Sequence, residues 1–509
     1  MFRTIARVIH EAKREYMAQQ AVIKQSILKK EDKQLFHYRW MRYFFTEDTS
    51  NAQRPIVELQ HRAAWIAVAI LFQASNEIPH IADVSALIPF FLLLGSFWAM
   101  WMALRPAAKN QSMQQQKQKQ QPQLWKRVVL ILTFLVTIAG MFQFSRGAIW
   151  SFSAPQFSND GTSLDTNAAI LLVQGRNPYS DSNIPELFHR FDINANWTTP
   201  LRQGQFADRL DYPSMSELQS ILNTSLKSGD VPEFEAKVSY PALSFLTLVP
   251  FALFNNYNVL PFYMLSYLLL IIVAWRAVRP ELRPWVALLA IANVPMWAST
   301  IGGNLDIFYT LLLVVCWLKR DQRWLSAIFL GLALATKQIA WYFVPFYLIM
   351  ALQHYGWKEA GYRLAIAGGI GLAINLPFIM WDYHSWFAGV MAPIADPMFP
   401  MGVGLVSLST SHLIPYMPTW VYSALELGGM LATFVWYWRI CRTRPEAAML
   451  LAVLPLFLAW RSLSSYFYCV AFPAFILFSA QMKPARQNAF EYLRNRKTNT
   501  QQLTSTLHV

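Results

Sequence analysis

The stretch VSALIPFFLLLGSFWAMWMAL, Val84–Leu104, contains no charged side chain. A helix that crosses the hydrocarbon core of a membrane needs about 20 residues of this kind. Three more runs have the same character: Val128–Phe144, Val259–Trp275 and Trp420–Trp438, the last interrupted only by Glu426. Because the membrane interior offers backbone amides no hydrogen-bonding partner, these segments are expected to be helices. The sequence therefore predicts an all-α polytopic membrane protein.

Basic residues separate the apolar runs and orient them. Lysine and arginine are retained on the cytoplasmic side of a membrane, and clusters such as Arg276–Arg283 and Lys319–Arg323 lie between runs. The pattern predicts a hairpin at Arg62–Leu104 and then ten spans, about twelve in all, near residues 127–147, 259–275, 284–300, 305–318, 324–336, 338–352, 363–379, 419–438, 446–460 and 466–480.

Two segments do not fit this scheme simply. Tyr240–Phe254 is apolar, but a crossing there would place Arg276–Arg283 outside, so it is interpreted as interfacial or re-entrant. Trp324–Leu352 divides into two halves that are short for a membrane span. Basic clusters on both flanks favour a hairpin there, and one long tilted helix is the alternative.

The charge distribution also divides the chain into regions. The predicted regions are a basic N-terminal region (1–61), an accessory hairpin (62–104), a Gln- and Lys-rich linker (105–127), a main membrane domain (128–480) and a tail (481–509), with both termini cytoplasmic. Residues 148–239 carry eleven acidic against six basic side chains, and residues 380–418 carry no Lys or Arg. Both segments are therefore expected to be extracytoplasmic loops, the first of them large.

Several classes of function have no support in the sequence. The net charge of +14 comes from basic residues at helix ends, which indicates cytoplasmic retention rather than nucleic-acid binding. The three cysteines, Cys316, Cys441 and Cys469, have neither CxxC nor histidine partner spacing. No P-loop, GxSxG or HExxH motif is present. Any chemistry is therefore expected to use carboxylates and cations at the outer membrane face, without a cofactor and without a metal.

One acid and two cations stand out. In LDTNAAILLVQGRNPY, Leu164–Tyr179, Asp165 precedes a helical pattern, so it is expected at the start of a short helix on the membrane surface, as an N-cap or as a functional acid. Lys337 and Arg461 lie in or beside apolar runs, where a charge is costly and a role in function is the default hypothesis. Snorkelling, or an ion pair with Asp306 or Glu426, is the alternative for each cation.

An ordered set of motifs resembles the GT-C glycosyltransferases, and among them the polyprenyl-phosphate-mannose-dependent mannosyltransferases. The set is the acid with its Gly-Arg-Asn-Pro-Tyr run, Tyr240-Pro241-Ala242-Leu243, Gly303-Asn304-Leu305-Asp306, and Gly331-Leu332-Ala333-Leu334-Ala335-Thr336-Lys337. The resemblance extends from about Val128 to Ala480. It implies a GT-C-like bundle whose donor and acceptor meet between the first outer loop and the loop after the seventh core helix, here residues 380–418.

The resemblance also implies roles for particular residues. Asp165 would be the catalytic base, with Asp160 in reserve, and Lys337 and Arg461 would bind the donor phosphate. The cavity candidates are Asn304, Asp306, His412, Tyr179 and Tyr240. For Asn304 and Asp306 a simple turn is the favoured interpretation, and for His412 a solvated loop position.

These expectations combine into one leading function. It is transfer of a hexose, with mannose the expected sugar, from a polyprenyl-phosphate carrier to a lipid or glycan acceptor at the outer face of a bacterial plasma membrane. The first alternative is a lipid-linked saccharide flippase or polytopic transporter, in which Asp165 is structural. The second is a non-catalytic assembly subunit. The sequence leaves the acceptor and the oligomeric state open.

Overall fold

The computed structural model describes residues 54–75, 87–105, 124–153, 157, 159–191, 195–229 and 231–480. The chain divides into two units, residues 1–60 and 61–509. Of the first unit only residues 54–60 are described, and they form the beginning of helix α1. Most of the predicted N-terminal region, linker residues 106–123 and the tail from residue 481 lie outside the described residues.

The described part of the chain is mainly helical. Its first helices are α1 Arg54–Ala74, α2 Leu87–Leu104, α3 Leu124–Trp150, α4 Asp160–Val173, α5 Pro178–Asp181, α6 Ile184–Phe191, α7 Met215–Ser228, α8 Leu243–Leu246, α9 Val249–Leu253, α10 Leu260–Ala277, α11 Arg283–Ala292 and α12 Val294–Ile301. The helices that follow are α13 Asp306–Leu318, α14 Arg323–Leu334, α15 Phe343–Tyr355, α16 Trp357–Trp381, α17 Tyr383–Ala395, α18 Leu405–Thr410, α19 Thr419–Ile440, α20 Ala448–Leu451, α21 Ser465–Tyr468 and α22 Ala471–Ser479. Two short strands, β1 Met401–Gly402 and β2 Arg461–Ser462, pair in parallel.

The length and composition of the helices are those of a membrane protein. Among the described residues, α2, α3, α10 and α16 are long and apolar enough to span, and Pro280–Ala292 with Val294–Ile301 forms one further span if the 54° bend between them is allowed. Shorter apolar helices of 10–17 residues occupy the predicted spans near 305–318, 324–336, 446–460 and 466–480. The protein is therefore an all-α membrane protein.

Helices α1 and α2 lie antiparallel. Arg62 donates a hydrogen bond to the carbonyl of Ala103, and the rings of Trp65 and Trp98 are 5.1 Å apart in an edge-to-face arrangement. The Arg62 guanidinium also forms a buried ion pair with Glu446, at 2.8 Å. These contacts attach the α1–α2 hairpin to the main membrane domain.

The segment Trp324–Leu352 is also a hairpin. The Tyr355 hydroxyl at the end of α15 donates to Asp321 just before α14, at 2.7 Å, and Ser326 and Tyr347 share a hydrogen bond of 2.7 Å further along. The chain reverses between α14 and α15, next to Gln338, whose side-chain amide donates to backbone carbonyls in both predicted outer loops. The apex of the α14–α15 hairpin therefore lies against those loops.

The segment Tyr240–Phe254 forms no continuous spanning helix. It consists of two single turns, α8 and α9, and Leu253 and Phe254 at its end are 62% and 84% exposed. The backbone amide of Leu243 donates to Ala335 at the end of α14, at 2.9 Å. The segment therefore packs against the end of α14 and against α4.

The two predicted outer loops form one packed body. Phe399 of the second loop belongs to the hydrophobic core of the first, where it contacts Phe206. Leu201 and Met398 form an antiparallel bridge, and the Lys237 ammonium lies 2.7 Å from both carboxylate oxygens of Asp396. Since β1 of the second loop pairs with β2, the outer loops are held directly beside Arg461.

Candidate active site

Helix α4 begins earlier and lies deeper than the sequence predicts. Asn159 is its N-cap, with a side chain that accepts from the backbone amide of Thr162, so Asp165 lies in the second turn and is not a cap. Residues 161–171 are all buried. The prediction that Asp165 begins or caps the helix is therefore wrong. Helix α4 is buried within the protein, where it packs against α8 and α9.

The start of α4 docks onto the turn between α12 and α13. Asn159 donates to the carbonyl of Gly302 at 3.1 Å and to the side chain of Asn304 at 3.0 Å, and Thr162 donates to the carbonyl of Gly303 at 2.6 Å. Gly303 has a φ of +74°, which a side chain rarely adopts. Asn304 therefore lies in this turn, and its bond with Asn159 attaches the first outer loop to the turn.

Asp165 has one satisfied and one unsatisfied carboxylate oxygen. Its side chain is 1% exposed, and its Oδ1 accepts a hydrogen bond of 2.9 Å from the buried hydroxyl of Ser244. Its Oδ2 is buried and has no hydrogen-bond partner among the described residues. Burial raises the pKa of Asp165 to about 8, against the lowering effects of Ser244 and of the positive charge on Lys337. The carboxyl group can therefore exchange a proton near neutral pH.

Lys337 is paired with an acid. Its ammonium lies 2.6 Å from Oδ1 of Asp306, and both side chains are buried. This is the ion pair that the sequence offered as an alternative to a free functional cation. The second oxygen of Asp306 is buried without a hydrogen-bond partner in the described part of the chain. A buried pair of this kind is costly in free energy, which makes a purely stabilising role an incomplete explanation.

Tyr240 lies between α4 and the hairpin apex. The Lys337 ammonium is 5.2 Å from the centre of its ring, a cation–π distance. A β-carbon placed on Gly161 would lie 3.0 Å from the same ring, so Tyr240 also closes against the first turn of α4. Tyr179 donates to the backbone carbonyl of Tyr240 at 2.8 Å and is itself buried. Through this hydrogen bond Tyr179 helps to fix the backbone of Tyr240.

Of the two candidate cations, Arg461 is the one that forms no ion pair among the described residues. It lies on β2, and its guanidinium contacts the sulfur of Met398. Its Nε is buried without a hydrogen-bond partner, and no ion pair involves Arg461 within the described ranges. Tyr212 of the first outer loop lies within electrostatic reach of both Arg461 and Asp160. The guanidinium thus retains the capacity to bind an anion.

Asp160 is more accessible than Asp165. It is half-buried at the first position of α4, where its Oδ1 accepts from the adjacent amide of Gly161 at 2.9 Å. Its charge acts on Asp165, Tyr240 and Tyr212. Asp160 therefore interacts electrostatically both with Asp165 and with Tyr212, which in turn is influenced by Arg461.

His412 contacts neither Asp165 nor the two candidate cations in the described part of the chain. It is exposed, and its imidazole lies 3.4 Å from the exposed carboxylate of Asp211. Its φ of +58° is unusual for a residue with a side chain, and it reflects a turn after α18. The structure thus places His412 at a surface contact between the two outer loops.

Two residues that interact with the candidate acid or cations, Ser244 and Tyr466, were absent from the sequence prediction. Ser244, which bonds Asp165, follows the motif at Tyr240–Leu243 by one position, and a lone serine there carries no signal of its own. Tyr466, in the run after Arg461, lies within electrostatic reach of Arg461, Lys337 and Asp306. Only the three-dimensional arrangement brings Tyr466 near these three charged residues.

The part of the chain that holds Lys337 and Arg461 matches a known family model. Residues 239–473 match the family model of glycosyltransferase family 87. The match covers slightly less than half of the chain, and it supports a membrane glycosyltransferase. No curated protein and no solved structure matches the chain. The family 87 region includes Tyr240, Ser244, Lys337 and Arg461, whereas Asp160 and Asp165 on α4 precede it.

Proposed function

We propose that the protein transfers a hexose from a polyprenyl-phosphate carrier to an acceptor on the extracytoplasmic side of the membrane. In this proposal residues 128–480 are a GT-C-like catalytic domain, the α1–α2 hairpin is an accessory element, and about twelve segments cross the bilayer. Mannose is the expected sugar, and a bacterial plasma membrane the expected location. The match to family 87 supports the glycosyltransferase class.

One observation carries the proposal. The helix with the two acids and the hairpin apex with Lys337 meet through a single short segment. In that segment Ser244 bonds Asp165, Leu243 bonds Ala335 of α14, and the ring of Tyr240 faces Lys337. A proton acceptor and a cation are thus held together where two outer loops close over the hairpin, which is the arrangement that transfer from a lipid phosphate requires.

The reaction needs little from the protein because the phosphate is already a leaving group. The acceptor oxygen forms a bond to the anomeric carbon as the bond from that carbon to the phosphate oxygen breaks. The electron pair of the broken bond leaves with the phosphate. In the proposal the acceptor proton passes to Oδ2 of Asp165, which has a vacant acceptor position and a pKa of about 8. Asp160 is the reserve base.

The two cations receive unequal roles. Arg461 has a buried, unpartnered Nε and no carboxylate within ion-pair distance in the described part of the chain, so it is the first candidate to bind the donor phosphate. Lys337 is already neutralised by Asp306 at 2.6 Å. In the proposal Lys337 has the secondary role: Asp306 holds it in position, and it stabilises the charge that develops on the departing phosphate.

The test is transfer of radiolabelled mannose from synthetic polyprenyl-phosphate mannose by the purified protein in lipid. Asp165→Asn is expected to lower the rate by about 10²- to 10⁴-fold, the usual contribution of a general base. Asp211→Asn is the matched control, since Asp211 is an exposed acid on the same loop. It should retain activity. If Asp160→Asn abolishes transfer and Asp165→Asn does not, the base is Asp160.

Two outcomes would reject the proposal in different ways. If the wild type moves lipid-linked sugar across vesicle membranes without transferring label to any acceptor, the transporter alternative is correct. If neither transfer nor lipid movement depends on Asp165, Asp160, Lys337 or Arg461, the protein is a non-catalytic subunit.

A further inference from the structure

Glu426 is an acid in an otherwise apolar helix. Helix α19 has 22 residues, and its only other charged side chain is Arg439 at the end. Glu426 lies on the same face of α19 as the buried residues Tyr422, Met430 and Thr433, at spacings of four, four and seven. Leu427, one position on, is 61% exposed. Glu426 therefore points into the protein and away from the apolar outer surface of the helix.

The carboxylate is anchored at one oxygen. The Tyr342 hydroxyl donates to Oε1 of Glu426 at 2.6 Å. This is the one hydrogen bond of Glu426 that the described residues provide, and the side chain is only half-buried. The second oxygen is thus available to accept a hydrogen bond from a ligand. An ionisable group at such a position in a membrane helix is expected to have a function.

Glu426 lies in the same region as the proposed donor site. Tyr342 ends the 3₁₀ turn Gln338–Tyr342, which directly follows Lys337. Tyr466 lies within electrostatic reach of Glu426, Lys337 and Arg461 together. A ligand whose phosphate lies near Arg461 would therefore present its neighbouring groups toward Glu426.

The chemistry of Glu426 and Tyr342 indicates which kind of ligand group they bind. A carboxylate repels a phosphate, and it gains nothing from an isoprenoid chain. It accepts strong hydrogen bonds from hydroxyl groups, which a hexose carries and the bare carrier lacks. Resting on the function proposed above, we propose that Glu426, held by Tyr342, binds hydroxyl groups of the hexose on the carrier lipid and thereby selects a sugar-bearing donor over the bare carrier.

The experiment compares a donor with and without its sugar. KM and kcat are measured for polyprenyl-phosphate mannose, and sugar-free polyprenyl phosphate is used as a competitive inhibitor. Glu426→Gln is expected to raise the KM of the donor about tenfold, the effect of losing one charged hydrogen bond, and to leave the inhibition constant of the sugar-free lipid within about twofold. Tyr342→Phe should act in the same direction more weakly.

Tyr437→Phe is the matched control, because it removes a buried hydroxyl from the same face of α19 that bonds a backbone carbonyl instead. It should change neither constant. If Glu426→Gln weakens the donor and the sugar-free lipid in parallel, or changes only the KM of the acceptor, the assignment to the donor sugar is wrong.

The same comparison can be made by equilibrium binding when no transfer is observed. A selective loss of affinity for the sugar-bearing lipid in Glu426→Gln would retain the sugar site and reject only the transferase function. Equal affinities of the wild type for both lipids would reject the sugar site.

Discussion

Replacing Ser244 by alanine removes the hydrogen bond that its hydroxyl donates to Asp165. Both groups are buried, and the donor–acceptor distance is 2.9 Å. A hydrogen bond to a charged group contributes about 1.5–3 kcal/mol, and one pKa unit corresponds to about 1.4 kcal/mol. Because Ser244 stabilises the ionised carboxylate, its loss should raise the pKa of Asp165 by about one to two, from about 8.

The expected consequence is a pH-dependent loss of transfer. If Asp165 acts as the base in its ionised form, kcat/KM at pH 7 should fall about 10- to 100-fold, since the ionised fraction falls by that factor. At pH 9 the deficit should shrink to about 2- to 10-fold, because the wild-type carboxyl group is already ionised there. The assay is a profile of kcat/KM against pH for the wild type and the variant.

Ser163→Ala is the control for this experiment. Ser163 is a buried serine on α4 whose hydroxyl bonds the backbone carbonyl of Asp160 at 3.0 Å, so its removal leaves Asp165 untouched. Its profile should keep the wild-type midpoint. A uniform fall in kcat/KM at every pH for Ser244→Ala, with no movement of the acid limb, would refute the link between Ser244 and the pKa of Asp165.

Two other changes test the supports of the site. Gly303→Ala should destabilise the protein more than Gly175→Ala. Both glycines have similar positive φ angles, but only a β-carbon at Gly303 would approach Thr162, at 2.8 Å. Equal thermal unfolding midpoints of the two variants would show that the docking contact contributes nothing to stability. Lys337→Met alone should destabilise by about 3–5 kcal/mol by leaving the Asp306 charge buried and unpaired, and adding Asp306→Asn should restore most of that stability. Transfer should stay absent in the double variant, and recovery of transfer along with stability would make the pair purely structural.

Much of the membrane architecture can be predicted from the sequence because it depends on composition. Apolar runs of sufficient length identify α2, α3 and α10 directly, and the prediction of helix within Trp420–Trp438 is confirmed by α19. The basic clusters around Trp324–Leu352 favour the hairpin that the contacts between its two helices show. In each case the membrane sets the requirement, either for an apolar run of sufficient length or for basic residues at one side, so a local sequence pattern is enough for the prediction.

The depth of Asp165 could not be predicted in this way. A run such as Asp-Thr-Asn-Ala-Ala is polar enough to suggest a surface helix, and burial becomes possible only because distant groups satisfy its polar atoms. Ser244 bonds Asp165 from 79 positions away, and Gly303 accepts from Thr162 across 141 positions. Such contacts depend on where the re-entrant segment and the α12–α13 turn lie in space, and no local pattern encodes that.

The division of the candidate site between two parts of the chain has a physical consequence. The acids lie on α4, outside the region that matches family 87, whereas Ser244, Lys337 and Arg461 lie within it. The two sets come together only because α4 docks on the turn at Gly303 and on Ser244. If the proposed chemistry is correct, loosening this docking should lower the rate of transfer without removing any charged group, since base and cations would no longer be held at a fixed separation. The first outer loop would then act as an integral wall of the active site rather than as a cover over it.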